Sequence, residues 1–173
     1  MSTRSIIAYK TKEGQYRTIY CHWDGYLSYN GAMLLDHYNQ YDRVSVLVGL
    51  GDISSLKEEI NPEPNQEHTF EKPQQNVTVF YGRDRGEKNV GSHLHNTLQE
   101  VFDRYNQSWC EYLYVFEDGK WYVTENTNEG LKDLKTELEN YYKELGIERP
   151  KEFYGYLTSK NVEDIKNGIN PFA

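Results

Sequence analysis

Residues 5–23, SIIAYKTKEGQYRTIYCHW, set the architecture of this chain, because they predict a β-hairpin at its start. The runs 5–10 and 16–23 are rich in β-branched and aromatic residues, which favour strands. TKEG between them supplies a turn that contains a glycine. Further strands can pair with either edge of this hairpin to form a larger sheet.

Side chains alternate between the two faces of a strand, so the second strand of the hairpin sorts its residues into two sets. The sets are Ile19, Cys21 and Trp23 on one face, and Tyr20, His22 and Asp24 on the other. The first set is the more apolar and is expected to face the core. The second set then carries the polar chemistry.

The rest of the chain is predicted to form hairpins linked by helices. The apolar spacing predicts helices, one of them with Ser28 as its N-cap, and Asp118-Gly119 predicts a tight hairpin turn. The predicted helices cover 29–39, 41–49, 94–106, 128–145 and 161–167, and the predicted strands cover 77–82, the two arms of 110–125, and 153–157. This order predicts one α+β domain over 1–173, with a mainly antiparallel sheet built from β-hairpins and packed helices.

Three segments carry no clear helix or strand pattern. Residues 51–59 are predicted to form a loop or a single turn, and 83–92 a charged, glycine-containing loop. Residues 60–76 hold three prolines and few apolar side chains, so they predict a polar loop or flexible insertion.

Charge and composition narrow the classes of function. The chain has 27 Asp and Glu against 19 Lys and Arg, a net charge of −8. Affinity for nucleic acid comes mainly from Lys and Arg, so such a chain is repelled by bare phosphate backbones, whereas a basic protein surface would attract it. Sixteen tyrosines are compatible with a contact surface, but half-buried strand and helix faces are the favoured explanation.

No cofactor, metal or membrane segment is expected. Two cysteines, Cys21 and Cys110, form neither a disulfide framework nor a zinc site. His93 and His95, placed on a predicted helix, point to different sides and do not chelate one ion. The longest apolar run, 44–51, is far below the ~18 residues that span a bilayer. A cytoplasmic protein with free thiols is therefore expected.

One catalytic constellation is conceivable around the end of the hairpin. His22 and Asp24 follow each other on one face, Tyr26 comes after the Gly25 bend, and Arg4 begins the paired strand. His37, on the next helix, could be folded back towards His22. Two histidines with an arginine would suffice for metal-free phosphodiester cleavage, as base, acid and phosphate clamp. The structural alternative is that these residues only pin the strand end, for example through an Arg4–Asp24 ion pair.

The opening hairpin and the first predicted helix resemble a known group of small proteins. The start MSTRSIIAYK and the later IYCHWDGYLSYNGAMLLDHY resemble a family of small proteins encoded by phages, prophages and plasmids of Gram-positive bacteria. They are also similar, more distantly, to bacterial proteins with a G-T-R-S start and a Y-D-G-Y turn. The resemblance covers roughly residues 1–55. The matching positions are Thr3, Arg4, Ser5, His22, Trp23, Asp24, Gly25, Tyr26, Asn30 and Gly31.

Small acidic proteins of such phages often counter host defence, and some resemble anti-CRISPR proteins. The resemblance therefore implies an anti-defence protein, expected to bind the basic groove of a type II RNA-guided nuclease or to damage its guide RNA. The alternatives are a small metal-independent ribonuclease using Arg4, His22 and Asp24, and a structural or interaction protein of a mobile element. For a binder, the candidate contact residues are Tyr20, Asn30, Glu58, Glu59 and Glu63.

Overall fold

The opening hairpin lies in the middle of the sheet. The computed structural model describes residues 2–172. In it, β1 (Ser5–Lys10) pairs antiparallel with β2 (Tyr16–Cys21), with Ser5 opposite Cys21 and Lys10 opposite Tyr16. Burial drives this pairing, because Ile7 and Ile19 face each other fully buried. Each such side chain contributes about 1.5–3 kcal/mol when removed from water.

Strands from distant parts of the chain extend the sheet on both sides of this hairpin. The strand order is β4-β3-β2-β1-β6-β7-β8, with β5 also paired to β2. Pairs β1–β6 and β2–β3 are parallel and the other pairs are antiparallel, so the sheet is mixed but mainly antiparallel. The added strands are β3 (Ile53–Ser55), β4 (Val79–Phe80), β5 (His93–His95), β6 (Tyr112–Glu117), β7 (Lys120–Thr124) and β8 (Lys132–Asp133).

Within residues 2–172, six α-helices pack around this sheet, which confirms the predicted α+β fold class. They are α1 (Ala32–His37), α2 (Tyr41–Gly49), α3 (Tyr81–Arg85), α4 (Leu98–Gln107), α5 (Leu134–Leu145) and α6 (Ser159–Lys166). None of the helices within residues 2–172 has the length and apolar composition that crossing a bilayer requires.

The two faces of the sheet bury separate cores. Helices α1 and α2 and the start of α5 cover one face, where Ile7, Ile19 and Cys21 pack with Leu34 and Leu47. Helix α4 covers the other face, where the buried set is Ile6, Ala8, Tyr16, Val101, Tyr105, Leu113 and Val115. The alternation predicted for β2 therefore holds up to Cys21.

Beyond Cys21 the alternation fails. Strand β2 ends there, and Asp24 turns the chain with a left-handed φ of +57°. Trp23 is 43% exposed, so the prediction that it belongs to the core is wrong. The backbone N–H of Gly25 then donates to Thr3 O at 2.8 Å. A Cβ at position 25 would lie 2.9 Å from that same oxygen, so this close approach requires glycine.

The helix predicted over 29–39 is shorter and differently started. A π-helical turn, Leu27–Gly31, runs directly into α1. Ser28 is buried inside this turn and caps nothing, so the prediction of Ser28 as N-cap is wrong. The Tyr114 hydroxyl holds the chain just before this turn by donating to Gly25 O at 2.6 Å.

Short strands were the main features missed. Residues 53–55 form β3 where a loop was predicted, and β5 occupies the start of the predicted helix 94–106. That helix begins only at Leu98, where Thr97 Oγ1 accepts the Glu100 N–H at 3.2 Å in a capping box. In the predicted strand 77–82 only Val79–Phe80 forms a strand, and Val77 makes an isolated bridge to Glu59. Helix α3 begins at Tyr81 and extends into the predicted loop 83–92. Residues 153–157 form no strand.

Candidate functional site

The turn after β2 presents a carboxylate among tyrosines. The Tyr26 hydroxyl donates to Asp24 Oδ1 at 3.3 Å, and the Asn30 backbone N–H donates to Asp24 O at 3.1 Å. The left-handed backbone of Asp24 is one that aspartate tolerates better than most residues. The tight turn thus places Asp24 and Tyr26 side by side at the sheet end.

Two further tyrosine rings surround Tyr26. The Tyr156 ring stands at 88° to it, with centroids 6.0 Å apart, and the Tyr29 ring at 70° and 6.3 Å. Tyr156 comes from the segment before α6, which is anchored to the turn by the Gly155 N–H donating to Ser28 O at 3.0 Å. Its side chain is 70% exposed.

Carboxylates lie close to two of these tyrosines, Tyr26 and Tyr29. Burial raises the pKa of Tyr26 above its usual value, and the Asp24 carboxylate raises it further. Burial likewise raises the pKa of Tyr29, with added contributions from Asp24 and Glu58. Carboxylates that disfavour phenolate formation favour a bound cation for the same reason.

His22 lies on the other face of the hairpin and is paired with Tyr20. Its Nδ1 is 2.7 Å from Tyr20 Oη. Burial lowers the pKa of His22 below its ordinary value, and the positive charge of Arg4 lowers it further. Burial raises the pKa of Tyr20 to about 12, although Arg4 opposes this. The pairing of Ser5 with Cys21 brings Arg4 next to His22, as the simple hairpin register predicted.

A polar network continues from this pair along β2. The Tyr20 N–H donates to Asp52 Oδ1 at 2.9 Å, and burial raises the pKa of Asp52 above its usual value. Arg104, on α4, donates to Thr18 Oγ1, which is also 2.9 Å from His95 Nε2. Burial lowers the pKa of His95, and Arg104 lowers it further. His22 and His95 are therefore held in the neutral form more strongly than a solvated histidine.

The structure does not bring His37 to His22. His37 belongs to α1, on the opposite face of the sheet, and its Nε2 is 2.8 Å from Tyr154 Oη. That hydroxyl donates to Asp36 Oδ2 at 2.7 Å, and Arg149 binds the same carboxylate through both terminal nitrogens. His37 therefore helps hold the chain after α5 onto α1, and the predicted two-histidine site is wrong.

Asn30 is also a structural residue. It is fully buried, and its Nδ2 lies 3.2 Å from Ser5 Oγ and 3.3 Å from Cys21 Sγ. A partner protein has no access to it, so the prediction of Asn30 as a contact residue is wrong. Cys21, which is fully buried as well, has its pKa raised by that burial to about 12.

Residues 60–76, predicted as a polar loop or flexible insertion, form a hydrogen-bonded loop between β3 and β4, called the Gln74 loop below. The side-chain amide of Gln74 donates towards Glu63 O and Glu67 O at 3.2 and 3.4 Å, while its Oε1 accepts the Glu63 N–H at 2.8 Å. His68 Nδ1 accepts the Gln74 N–H at 3.0 Å. The exposed carboxylates on this loop and its start are Glu59, Glu63, Glu67 and Glu71, whereas Glu58 is half-buried.

Comparison with family models, with curated proteins and with solved structures finds no match for this chain. Function must therefore be argued from the geometry. Within residues 2–172 no three His, Cys, Asp or Glu side chains are placed to hold a metal ion together. His93 and His95 do share a face of β5, contrary to the helical placement, but no third ligand joins them.

The geometry offers three sites with different chemistry. The His22 face supplies an imidazole beside Arg4. The turn supplies Asp24 beside Tyr26 and the exposed Tyr156, and the Gln74 loop supplies exposed carboxylates. The residues missed from the sequence are Gln74, Asp52, His95, Arg104 and Tyr156. Among these residues, only Tyr156 stands out in the sequence, as an aromatic residue next to Gly155 in a polar stretch.

Proposed function

We propose that this chain is a phage-encoded anti-defence protein that acts in the host bacterial cytoplasm. It works as an anti-CRISPR inhibitor by binding the basic nucleic-acid groove of a type II RNA-guided nuclease. The resemblance of residues 1–55 to mobile-element proteins supports the origin. The charge of −8 supports a basic partner, because opposite potentials favour association and raise its rate.

The observation that carries the proposal is the set of exposed carboxylates on the Gln74 loop, whose backbone is held by side-chain hydrogen bonds. Glu63 and Glu67 extend from backbone positions that one glutamine side chain ties together. A loop ordered before binding loses less conformational entropy on association than a flexible one. A groove lined by Lys and Arg can bind spaced carboxylates in place of phosphates.

The first test measures binding to the purified nuclease, with and without its guide RNA, at several salt concentrations. The fourfold variant Glu59→Gln, Glu63→Gln, Glu67→Gln, Glu71→Gln should weaken binding at least about tenfold, and salt should weaken the wild type. The matched control changes four exposed glutamates elsewhere to Gln and so removes the same charge. These are Glu129, Glu139, Glu144 and Glu148. Equal losses in the two variants would leave only a net-charge effect and refute a docking loop.

Guide-RNA cleavage at the His22 face is the second candidate. The 2.7 Å contact between Tyr20 and His22 favours it, because an Nδ1–H that donates to the Tyr20 hydroxyl orients the ring and leaves Nε2 unprotonated, to act as a base beside Arg4. No second imidazole is paired with it, so the general acid would have to come from another group. Labelled guide RNA incubated with the protein, alone and with the nuclease, tests this candidate. Intact RNA in both reactions, or full inhibition by a folded His22→Ala variant, would eliminate it.

A further inference from the structure

Tyr26 and Tyr156 form two walls of an open aromatic corner. Their rings are perpendicular, 6.0 Å apart between centroids, and Tyr156 is largely exposed. The Asp24 carboxylate lies 3.3 Å from the hydroxyl at the tip of Tyr26. Ring faces attract cations through their quadrupole, and an adjacent carboxylate adds a full negative charge.

Some aromatic rings of this chain carry one of its own cations. Within residues 2–172, six rings have a Lys or Arg side chain within 5.5 Å of the ring centroid. These pairs are Lys12–Tyr41, Arg43–Tyr38, Lys57–Tyr29, Arg83–Phe80, Arg85–Phe70 and Arg149–Tyr154. Across residues 2–172, no Lys or Arg lies over Tyr26 or Tyr156 in this way. The corner therefore has the features of a cation site but takes no cation from this chain.

We propose that Asp24, Tyr26 and Tyr156 form a socket that receives one Lys or Arg side chain from the partner protein. This inference rests on the proposed function, since it supplies the basic partner. Charge complementarity identifies the occupant: the Asp24 carboxylate lies beside the Tyr26 hydroxyl, so a phosphate is repelled and a guanidinium or ammonium group is attracted. Arginine fits best, because its planar group stacks on one ring while its N–H groups reach the carboxylate.

The test uses an oligo-arginine peptide as the probe and follows the tyrosine ring signals by NMR during titration. Tyr156→Phe keeps the ring face and should bind within about twofold of the wild type. Tyr156→Leu removes the ring and should weaken binding by about two- to thirty-fold. Asp24→Asn keeps a residue that tolerates the left-handed turn and should weaken binding by at least about threefold. Trp109→Leu is the matched control, because Trp109 is 86% exposed but belongs to no such corner.

Each outcome separates the socket from the proposed function. Equal losses for Tyr156→Phe and Tyr156→Leu, or a loss for Trp109→Leu alone, would overturn the socket. Nuclease binding with no change at the Tyr26 and Tyr156 signals would overturn the socket and leave the proposed function standing. Peptide binding in the corner without any nuclease binding would support the socket and refute the proposed function.

Discussion

The buried amide of Asn30 joins the two ends of the opening hairpin. Its Nδ2 lies 3.2 Å from the hydroxyl of Ser5, the first residue of β1, and 3.3 Å from the sulfur of Cys21, the last residue of β2. The polar residues after β2 thus include a structural pin as well as a surface. Asn30 belongs to the pin, whereas Asp24 and Tyr26 belong to the surface.

Asn30→Ala should destabilise the fold by about 1–3 kcal/mol, because it leaves the Ser5 hydroxyl without its buried partner and opens a small void. Urea unfolding followed by tryptophan fluorescence measures this loss. Asn140→Ala, on the exposed side of α5, is the control and should change stability by less than about 0.5 kcal/mol. Equal stability of the two variants would contradict the role of Asn30 as a pin.

Gly25→Ala should destabilise the protein by about 1–3 kcal/mol, because the new methyl group would meet Thr3 O at 2.9 Å and Ser5 Cβ at 3.0 Å. Thr3 lies just before β1 and Ser5 begins it, so relief requires the turn to move away from the hairpin. Gly49→Ala provides the comparison, since a Cβ there meets nothing within 4 Å and the position ends a helix. Thermal unfolding should show a lower melting temperature for Gly25→Ala only. A melting temperature equal to that of Gly49→Ala would show that the close approach is relaxed in solution.

The ion pair between Asp36 and Arg149 should give the fold an acid-dependent contribution. Burial opposes ionisation of Asp36, but hydrogen bonds from Arg149 and Tyr154 outweigh it and lower the pKa of this carboxyl. The contribution is therefore present above the unfolded-state pKa of about 3.9 and is lost as the pH falls through the lower folded-state value. Because the pair is partly exposed, we expect less than about 1 kcal/mol.

The measurement is the difference in unfolding free energy between the wild type and Asp36→Asn from pH 7 down to pH 2.5. The difference should be constant above about pH 5 and should shrink below about pH 4. Asp103→Asn, at an exposed position of α4, serves as the control. A difference that grows on acidification would contradict the sign derived from the lowered pKa.

Local patterns predicted the parts of the fold that depend on local physics. The hairpin, α2 and the Asp118-Gly119 turn follow from side-chain periodicity and turn chemistry. The helix predicted over 128–145 is confirmed only from Leu134, because residues 132–133 form β8. The three residues of β5 form a strand only because β2 offers them an edge, so nothing within HLH separates strand from helix. Arg4 beside His22 followed from hairpin register, whereas the contact of Tyr26 with Tyr156 joins residues 130 positions apart and has no local signal.

Gln74→Ala should loosen the acidic loop without changing its charge. The variant removes the hydrogen bonds that tie the side chain to Glu63 and Glu67, so hydrogen exchange of amides 60–73 should accelerate by about tenfold or more. Gln75→Ala is the matched control, because Gln75 is the exposed neighbour of Gln74. If the ordered carboxylates form the docking surface, Gln74→Ala should also bind the nuclease about three- to tenfold more weakly than Gln75→Ala. Faster exchange with unchanged binding would show that order in this loop serves the fold alone, and the docking surface would then have to lie elsewhere.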